Sequence, residues 1–197
     1  MNIVITGATG AIGSALATLV HARGEKLLLC GRSDEKLETL NRALGGAHHT
    51  VAADLTDATG CAVLQATKAQ VPAIAVLTSS VVAEAGFANH EAIAAAKCAV
   101  TGLALSAAAT YADKGVRVNV VAPGLTRSTL TQRFIATPEA EARSAAMIPT
   151  NRIGEPDDVA HAFSYLLSPH AAHITGQVIR VDGGQGVLRP LPRAIKA

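Results

Sequence analysis

A glycine-rich turn near the start of the chain has the residue types and spacing that hold a phosphate group. The sequence TGATGAIG at residues 6–13 separates a β-branched run, Ile3-Val4-Ile5, from a segment with apolar residues at helical spacing. Glycines at such a strand-to-helix turn let backbone N–H groups approach a pyrophosphate at the positive end of the helix. We therefore expect a dinucleotide-binding turn; the alternative is a tight turn that serves packing only.

The end of the second predicted strand carries a basic residue. The run LLLC at residues 27–30 is followed by Gly31 and Arg32, and the next acidic residue is Asp34. A carboxylate at the end of this strand holds the ribose hydroxyls of NAD(H), whereas an arginine can pair with the 2′-phosphate of NADP(H). We expect NADP(H) to be favoured over NAD(H); the alternative is that Arg32 is a solvated loop charge.

Composition excludes several classes of protein. The chain has 197 residues, 49% of them hydrophobic, which is enough for one core and too little for two ordinary domains. A mean hydropathy of +0.31 and a net charge of +2 exclude disorder. Scattered basic residues argue against nucleic-acid and membrane partners. Three widely spaced cysteines predict no metal site. The first residues lack the basic region of a signal peptide, so we expect a cytoplasmic protein.

Strands and helices alternate along the chain, and the strands are apolar throughout. This pattern is typical of a doubly wound parallel sheet, a Rossmann-like α/β fold, and we expect a single domain over residues 1–197. The patterning predicts strands over residues 3–5, 27–30, 50–53, 73–77, 116–121 and 178–181. It predicts helices over residues 11–22, 34–44, 56–69, 90–111 and 156–168. We expect the Ala-rich fourth helix to be buried, segment 128–148 to be mobile, and residues 187–197 to form a loosely attached tail.

Several motifs between residues 1 and 186 resemble those of the short-chain dehydrogenase/reductase family. The resemblance is carried by TGATGAIG at 6–13, DL at 54–55, Lys97 on a helix, NVVAPG at 119–124, RIGEPDDVA at 152–160, TGQ at 175–177 and VDGG at 181–184. The second half is similar to the classical branch of the family, whereas the turn has Ala11 at the usual second glycine. The resemblance implies an NAD(P)(H) cofactor, a small-molecule substrate and a homo-oligomer, either a dimer or a tetramer.

The resemblance also implies which residues contact the cofactor, and no metal is among its requirements. Carried over position by position, the cofactor-binding residues are Thr6, Gly7, Thr9, Gly10, Ala11, Ile12, Gly13, Arg32, Asp54, Leu55, Thr78, Lys97, Pro123, Gly124 and Ser128.

The catalytic positions implied by the resemblance are only partly filled. The family uses a Tyr as acid or base, a Lys four residues later that lowers the pKa of that Tyr, a Ser that orients the carbonyl, and an Asn that holds a relay water. Lys97 is present and Ser80 lies at the right distance before it, but Ile93 stands at the Tyr position. An aliphatic side chain can neither donate nor accept a proton.

Other interpretations of these residues stay open. His90, about two helical turns before Lys97, and Glu91 are the nearest groups that could carry a proton, and the alternative is that both only cap or solvate the helix start. Ser80 could serve only the backbone at a strand end, and Lys97 could serve only to cover apolar surface.

The middle of the chain lacks a segment that the family possesses. Members have an Asn-Asn-Ala-Gly turn after a fourth strand and a Ser after a fifth, but only one strand lies between Asp54 and Lys97 here. The sequence therefore predicts the loss of one complete strand–helix unit, which removes the Asn-rich turn and the relay Asn. A family member would have roughly 250 residues. Since the loss leaves the hand of the neighbouring units unchanged, we expect the remaining strands to close into one sheet.

Three functional hypotheses follow. The first is an NADP(H)-dependent oxidoreductase for a small carbonyl or hydroxyl compound, with atypical or impaired proton transfer beside Ser80 and Lys97. The second is a non-redox enzyme on the same scaffold, such as a dehydratase, isomerase or cyclase. The third is a catalytically silent subunit with a regulatory or assembly role, which could form a hetero-oligomer with a catalytic homologue.

Overall fold

Six strands and five long helices alternate in a computed structural model that describes residues 2–60, 62 and 74–189. Short runs of β-branched and aliphatic residues form the strands, and segments with apolar residues at helical spacing form the helices. The strands are β1 (Asn2–Thr6), β2 (Lys26–Gly31), β3 (His49–Ala52), β4 (Ile74–Thr78), β5 (Arg117–Pro123) and β6 (Val178–Val181). The helices are α1 (Ala11–Ala22), α2 (Asp34–Ala43), α3 (Glu91–Tyr111), α4 (Pro138–Ala146) and α5 (Pro156–Leu167). Most of the helix predicted over residues 56–69 lies outside the described residues.

The strands form two separate parallel sheets. One has the order β1-β2-β3 and the other the order β4-β5-β6. Each pairing is parallel, as predicted, with Thr6 opposite Cys30 in the first sheet and Thr78 opposite Val121 in the second. The expectation that the remaining strands close into one sheet is wrong for the described residues, because no pairing joins β1 to β4. Loss of the unit has left a gap between these two strands.

Helices α1, α2 and α5 cover one face of the molecule, where the larger core lies. Successive side chains of a strand point to opposite faces, so Ile74 and Val76 of β4 pack toward this core while Ala75 and Leu77 pack toward α3. The α1 helix packs on α5, and this contact bridges the two sheets through residues such as Leu16, Val20, Val159 and Phe163. The two half-sheets are therefore joined by helices rather than by strand pairing.

The long helix α3 is largely uncovered, which corrects the expectation that it is buried. Its buried residues are Ala104 and Ala108, which contact β5 through a small apolar cluster. Leu103 is 63% exposed and Leu105 49%. The helix covers a sheet only three strands wide, so a single stripe of small residues is enough to contact it. By length and composition alone, residues 91–114 are apolar enough to cross a membrane, which a helix of a soluble fold can also be.

The segment predicted to be mobile, residues 128–148, contains the ordered helix α4. Thr137 caps the helix by accepting a hydrogen bond from the Ala140 N–H, and Pro138 opens it with glutamates in the first turn. Arg127 donates to Glu141 at 2.7 Å and to Glu155 at 3.1 Å, and this linked pair of ion pairs connects α4 to the start of α5.

The described part of the predicted tail begins with a local turn. The N–H groups of Val187 and Leu188 donate to the carbonyl of Gly184, at 3.2 and 2.9 Å, while both side chains remain exposed. Residues 190–197 lie outside the described residues.

Candidate functional site

The glycine turn forms a compact cradle between β1 and α1. Gly7 has a φ of +64°, which an L side chain rarely adopts, and its carbonyl accepts the Gly10 N–H at 2.9 Å. A Cβ added at Gly13 would lie 2.3 Å from the Gly7 carbonyl oxygen. The Ala8 N–H donates to the Cys30 carbonyl at 3.0 Å and fixes the turn to the end of β2. The backbone can adopt this tight turn only because glycines occupy these positions.

The positive amino end of α1 has no acidic side chain beside it, in contrast to the other four long helices. Its N-cap residue, Gly10, supplies no side-chain acceptor, and no acidic residue lies in the first turn. Each of the other four long helices carries at least one acidic residue in its first turn. The positive end of the α1 dipole and its free N–H groups are therefore left for an external anion.

Arg32, predicted to favour NADP(H), lies at the carboxyl end of β2, and the predicted cofactor residues Asp54 and Leu55 lie after β3. Arg32 is exposed directly after β2. Asp54 accepts hydrogen bonds from the Thr56 N–H at 3.0 Å and the Thr56 hydroxyl at 2.8 Å. These bonds, together with the nearby charge of Arg32, hold the pKa of Asp54 below its usual value. Leu55 is also exposed. A basic and an acidic side chain therefore lie close together at this edge.

Lys97 is anchored at the end of β4 in the second half-sheet. Its ammonium group donates to the Thr78 carbonyl at 3.0 Å. Partial burial lowers the pKa of Lys97, and no carboxylate forms an ion pair with it among the described residues. One or more of its N–H groups remains free to bind a ligand.

Two serines follow β4, and they have different surroundings. Ser80 donates weakly to the Pro123 carbonyl at 3.5 Å and accepts from the Val82 N–H at 3.4 Å. Ser79, which the sequence analysis did not select, is buried and donates to the Lys97 carbonyl at 3.1 Å. Thr101 in turn donates to Ser79 at 3.2 Å. Ser79 positions the helix that carries Lys97, and its adjacency to Ser80 was the sequence signal that could have identified it.

Ile93, at the position predicted for proton transfer, has an aliphatic side chain that faces solvent. Ile93 lies one helical turn before Lys97 and is 43% exposed. His90 is the N-cap residue of α3, and its Nδ1 lies 2.7 Å from the Ala88 carbonyl. Its described contacts, which include the ring of Phe87, do not bring it to Ser80 or Lys97. Glu91, the other substitute considered, is exposed in the first turn of α3.

The remaining predicted cofactor residues lie after β5. The Gly124 N–H donates to the Val181 carbonyl at 3.0 Å, and a Cβ at Gly124 would lie 2.8 Å from the Cβ of Asp182. Pro123 is buried at the end of β5. Ser128 and Thr131 are hydrogen bonded through their hydroxyls at 3.0 Å. The chain at Gly124 therefore also requires a glycine, because a side chain there would clash with Asp182, directly after β6.

An elongated cavity of about 490 Å³ connects the two halves of the site, and we call it the inter-strand cavity. Its walls are β1 and β4, and α1 and α5 form its floor. At its upper end it reaches the predicted cofactor positions Thr6, Gly7, Gly10, Ala11, Ile12, Gly13, Thr78 and Ser128. The structure thus brings the glycine turn, the end of β4 and Ser128 to one crevice.

Comparison with known protein families assigns the chain to a family. The model described as short chain dehydrogenase matches residues 1–78, and the model described as Enoyl-(Acyl carrier protein) reductase matches residues 61–185. The chain belongs to the short-chain dehydrogenase/reductase family, as the motifs indicated.

Similar proteins include both complete and partial matches. The chain is 29% identical to the 3-oxoacyl-(acyl-carrier-protein) reductase FabG of Rickettsia conorii over 232 positions, which cover 92% of this chain and 95% of that protein. Since 197 residues cannot fill 232 positions, the chain has gaps relative to this reductase. It is 46% identical over 109 residues to the Inactive 2-(S)-hydroxypropyl-CoM dehydrogenase 2 of Xanthobacter autotrophicus, a match spanning 47% of that protein and 53% of this chain.

A solved structure has a similar overall fold. The NADPH-bound short chain oxidoreductase of Pseudomonas aeruginosa PAO1, described as containing an atypical catalytic center, is 25% identical, with a TM-score of 0.85. The match covers 95% of this chain and 97% of that one.

Proposed function

We propose that this protein binds NADP(H) at the glycine turn and acts as an oxidoreductase on a small carbonyl or hydroxyl compound, with a proton step that does not use a tyrosine. The observation that carries the cofactor assignment is the amino end of α1, which has no side-chain cap and no acidic residue in its first turn. The Gly13 position supports it, because the absence of a side chain there lets the turn close against α1.

The chain's own residues divide into two groups around the cofactor. The N–H groups at the start of α1 hold the pyrophosphate, while Asp54 and Leu55 flank the adenine. When bound, NADP(H) supplies or accepts a hydride. Lys97 contacts the nicotinamide ribose with the N–H groups that Thr78 leaves free, and Pro123, Gly124 and Ser128 border the nicotinamide.

Proton transfer is the step that this chain performs differently. Ser80 can still orient a substrate oxygen, since its hydroxyl makes only a long hydrogen bond to Pro123. Ile93 cannot exchange a proton, but its exposure leaves the adjacent space open to water. Water is therefore the proton donor or acceptor in the proposed reaction, at the cost of the rate enhancement that a positioned acid contributes.

The preference for NADP(H) is assigned to Arg32. Its guanidinium is exposed after β2. Asp54, which follows β3, interacts electrostatically with it. A 2′-phosphate offers a stronger partner than a single carboxylate on an exposed edge, because it carries more charge and more acceptor oxygens.

The uncovered face of α3 favours a second candidate, a catalytically silent subunit. Leu103 and Leu105 expose apolar surface on a helix of which only two residues are buried. Such a surface suits contact with another subunit, either a second copy in a dimer or tetramer or a catalytic homologue in a hetero-oligomer. Both candidates place the protein in the cytoplasm, with no nucleic-acid or membrane partner.

Titration with NADPH and NADH, followed by the fluorescence of the reduced nicotinamide, tests the proposal. We expect tighter binding of NADPH, and we expect Arg32→Ala to reduce NADPH affinity by about tenfold, roughly 1.4 kcal/mol, while NADH affinity stays unchanged. Arg133→Ala serves as the matched control, because Arg133 stacks on Phe134 away from the turn.

Turnover separates the two candidate functions. A panel of small aldehydes and ketones is then added to the NADPH complex, and loss of NADPH absorbance is measured. Slow oxidation supports the oxidoreductase, and binding without oxidation supports the silent subunit. Absence of affinity for either dinucleotide contradicts the oxidoreductase proposal.

A further inference from the structure

The inter-strand cavity lies between two strands that are not paired with each other among the described residues. Its two walls are strands of five residues each, β1 and β4, which run in the same direction because both carboxyl ends reach the cofactor crevice. No residue of β4 is fully buried, although β5 beside it is buried along nearly its whole length. A strand in the middle of a parallel sheet is normally buried on both faces, so β4 is in the environment of an edge strand.

The facing edges of β1 and β4 carry backbone groups without strand partners. β1 pairs only with β2 and β4 only with β5 among the described residues. At the end of β4, the Lys97 ammonium donates a hydrogen bond to the Thr78 carbonyl. Unpaired N–H and C=O groups beside an apolar cavity are costly, and they form a template for an added strand.

The chemistry of the lining restricts what can fill the cavity. Among the described residues no charged side chain lines it, and its floor is formed by Ile12 and Leu16 of α1 with Phe163 and Leu167 of α5. An aliphatic ligand would match the side chains but would leave the backbone groups of both walls unpaired. An extended polypeptide with apolar residues at alternate positions satisfies both, since its backbone pairs with the walls and its alternate side chains reach the floor.

From these observations we infer that the inter-strand cavity binds an extended, uncharged segment of another polypeptide, which adds to the protein as a parallel strand between β1 and β4. The chain also has gaps relative to the Rickettsia conorii reductase, so it lacks positions that this relative possesses. Within the chain, the last eight residues, PLPRAIKA, are a poor occupant, because two prolines cannot donate to a strand ladder.

The added strand has a consequence for the proposed cofactor site. The cavity reaches Gly7 and Gly10, so a bound strand would supply a wall of the crevice next to the turn. Binding of the strand and binding of NADPH would then strengthen each other by the same factor. Strand binding is measured in the absence of dinucleotide, so that failure of the proposed function and failure of this inference are distinguishable.

A labelled synthetic peptide tests the inference. The probe is acetyl-Lys-Asn-Val-Ile-Val-Ile-Val-Asn-Lys-amide, and the control peptide has proline in place of both isoleucines. We expect micromolar binding of the probe by fluorescence anisotropy and no binding of the proline peptide. Hydrogen exchange followed by mass spectrometry should show new protection of residues 3–6 and 74–78 when the probe is bound.

Two variants of the protein test the position of the peptide. Val76→Lys introduces a charge into the uncharged cavity and should weaken binding by about tenfold or more. Ile179→Lys makes the same kind of change on β6, outside the cavity, and should leave binding unchanged. Circular dichroism establishes that both variants fold. If Val76→Lys does not fold, the two peptides and the exchange data on the unaltered protein still decide the question.

Four outcomes would overturn the inference. The first is strong protection of residues 3–6 and 74–78 in the free monomer, which would mean that the sheet closes on itself. The second is equal binding of both peptides. The third is a dimer that Val76→Lys disrupts, which would identify a second copy as the occupant. The fourth is binding of decanoate without binding of the peptide, which would identify an aliphatic ligand.

Discussion

The two half-sheets differ in how much of the family's site they keep. The β1-β2-β3 half holds the glycine turn, the uncapped start of α1, Arg32 and Asp54, which together form the proposed dinucleotide-binding edge. The β4-β5-β6 half holds Ser80 and Lys97, and it carries Ile93 at the position where the proposed function lacks a proton donor. In this proposal binding and proton transfer depend on different parts of the molecule, so one can change without the other.

A glycine substitution in the first half should have the largest effect. Gly13→Ala would place a Cβ 2.3 Å from the Gly7 carbonyl oxygen, and the clash is with backbone that cannot move away. We expect destabilisation of about 1–3 kcal/mol, and NADPH binding reduced beyond detection in the titration. Unchanged NADPH affinity would mean that the turn is not the pyrophosphate site.

Restoring a phenol in the second half should reveal whether the halves still cooperate. Ile93→Tyr places a hydroxyl one helical turn from Lys97, and we expect carbonyl reduction by NADPH to rise about 10²-fold. Ile93→Phe is the matched control, because it adds the ring without the hydroxyl. If both variants stay equally slow although NADPH binds, the loss of the relay residues matters more than the loss of the tyrosine.

The pH dependence of stability should also distinguish the halves. His48 accepts the Leu27 N–H at Nδ1 and lies 2.9 Å from His21, an arrangement that requires a neutral ring. Burial and the neighbouring His21 lower the pKa of His48 below 6.5. Since the unfolded chain then binds more protons, the stabilising effect of the neutral ring is present above pH 6.5 and declines as the pH falls through the folded pKa.

Urea denaturation at pH 7.5 and pH 5 measures this effect. We expect a lower midpoint at pH 5 and a smaller pH difference in His48→Gln. Asp158 does not contribute to the change, because hydrogen bonds from Arg152 and the Glu155 N–H lower its pKa to about 2, so that it is ionised at both pH values. A pH difference that persists in His48→Gln would point to another group.

The smallest effect is expected from the same glycine-to-alanine change in the second half. A Cβ at Gly102 in α3 would meet nothing within 4 Å. Because alanine favours the helix, we expect Gly102→Ala to stabilise the protein by about 0.5–1 kcal/mol, measured as a higher urea midpoint, with NADPH affinity unchanged. Destabilisation would show that the uncovered face of α3 is packed against a subunit in solution.

The order of strands and helices could be predicted from the sequence because each depends on local pattern and turn residues. Every described strand lies within one or two residues of its predicted bounds. The helix α4 was missed because its apolar pattern is weak, although Thr137 and Pro138 mark its start. A sequence pattern does not show what packs against a segment. The exposure of α3 and the gap between β1 and β4 could therefore be seen only in the structure.

Predictions for the site divided in the same way. The glycine turn could be located from residue types alone, because its geometry depends on neighbours in sequence. The neighbourhood of Ser80 pointed to Ser79 as a candidate, but its hydrogen bond to the Lys97 carbonyl could not be predicted, because the two residues are 18 apart on different elements.

The contact of α1 with α5 gives the molecule a mechanical property. No strand pairing joins β1 to β4 among the described residues. A change in the distance between these strands would therefore alter the packing of α1 against α5. The same α1 carries the proposed phosphate site at its amino end, so a dinucleotide bound there would act on the helix that joins the two half-sheets. A dinucleotide that fixes this end would stiffen the joint between the half-sheets. Conversely, a force that separates β1 from β4 would be expected to release the dinucleotide first.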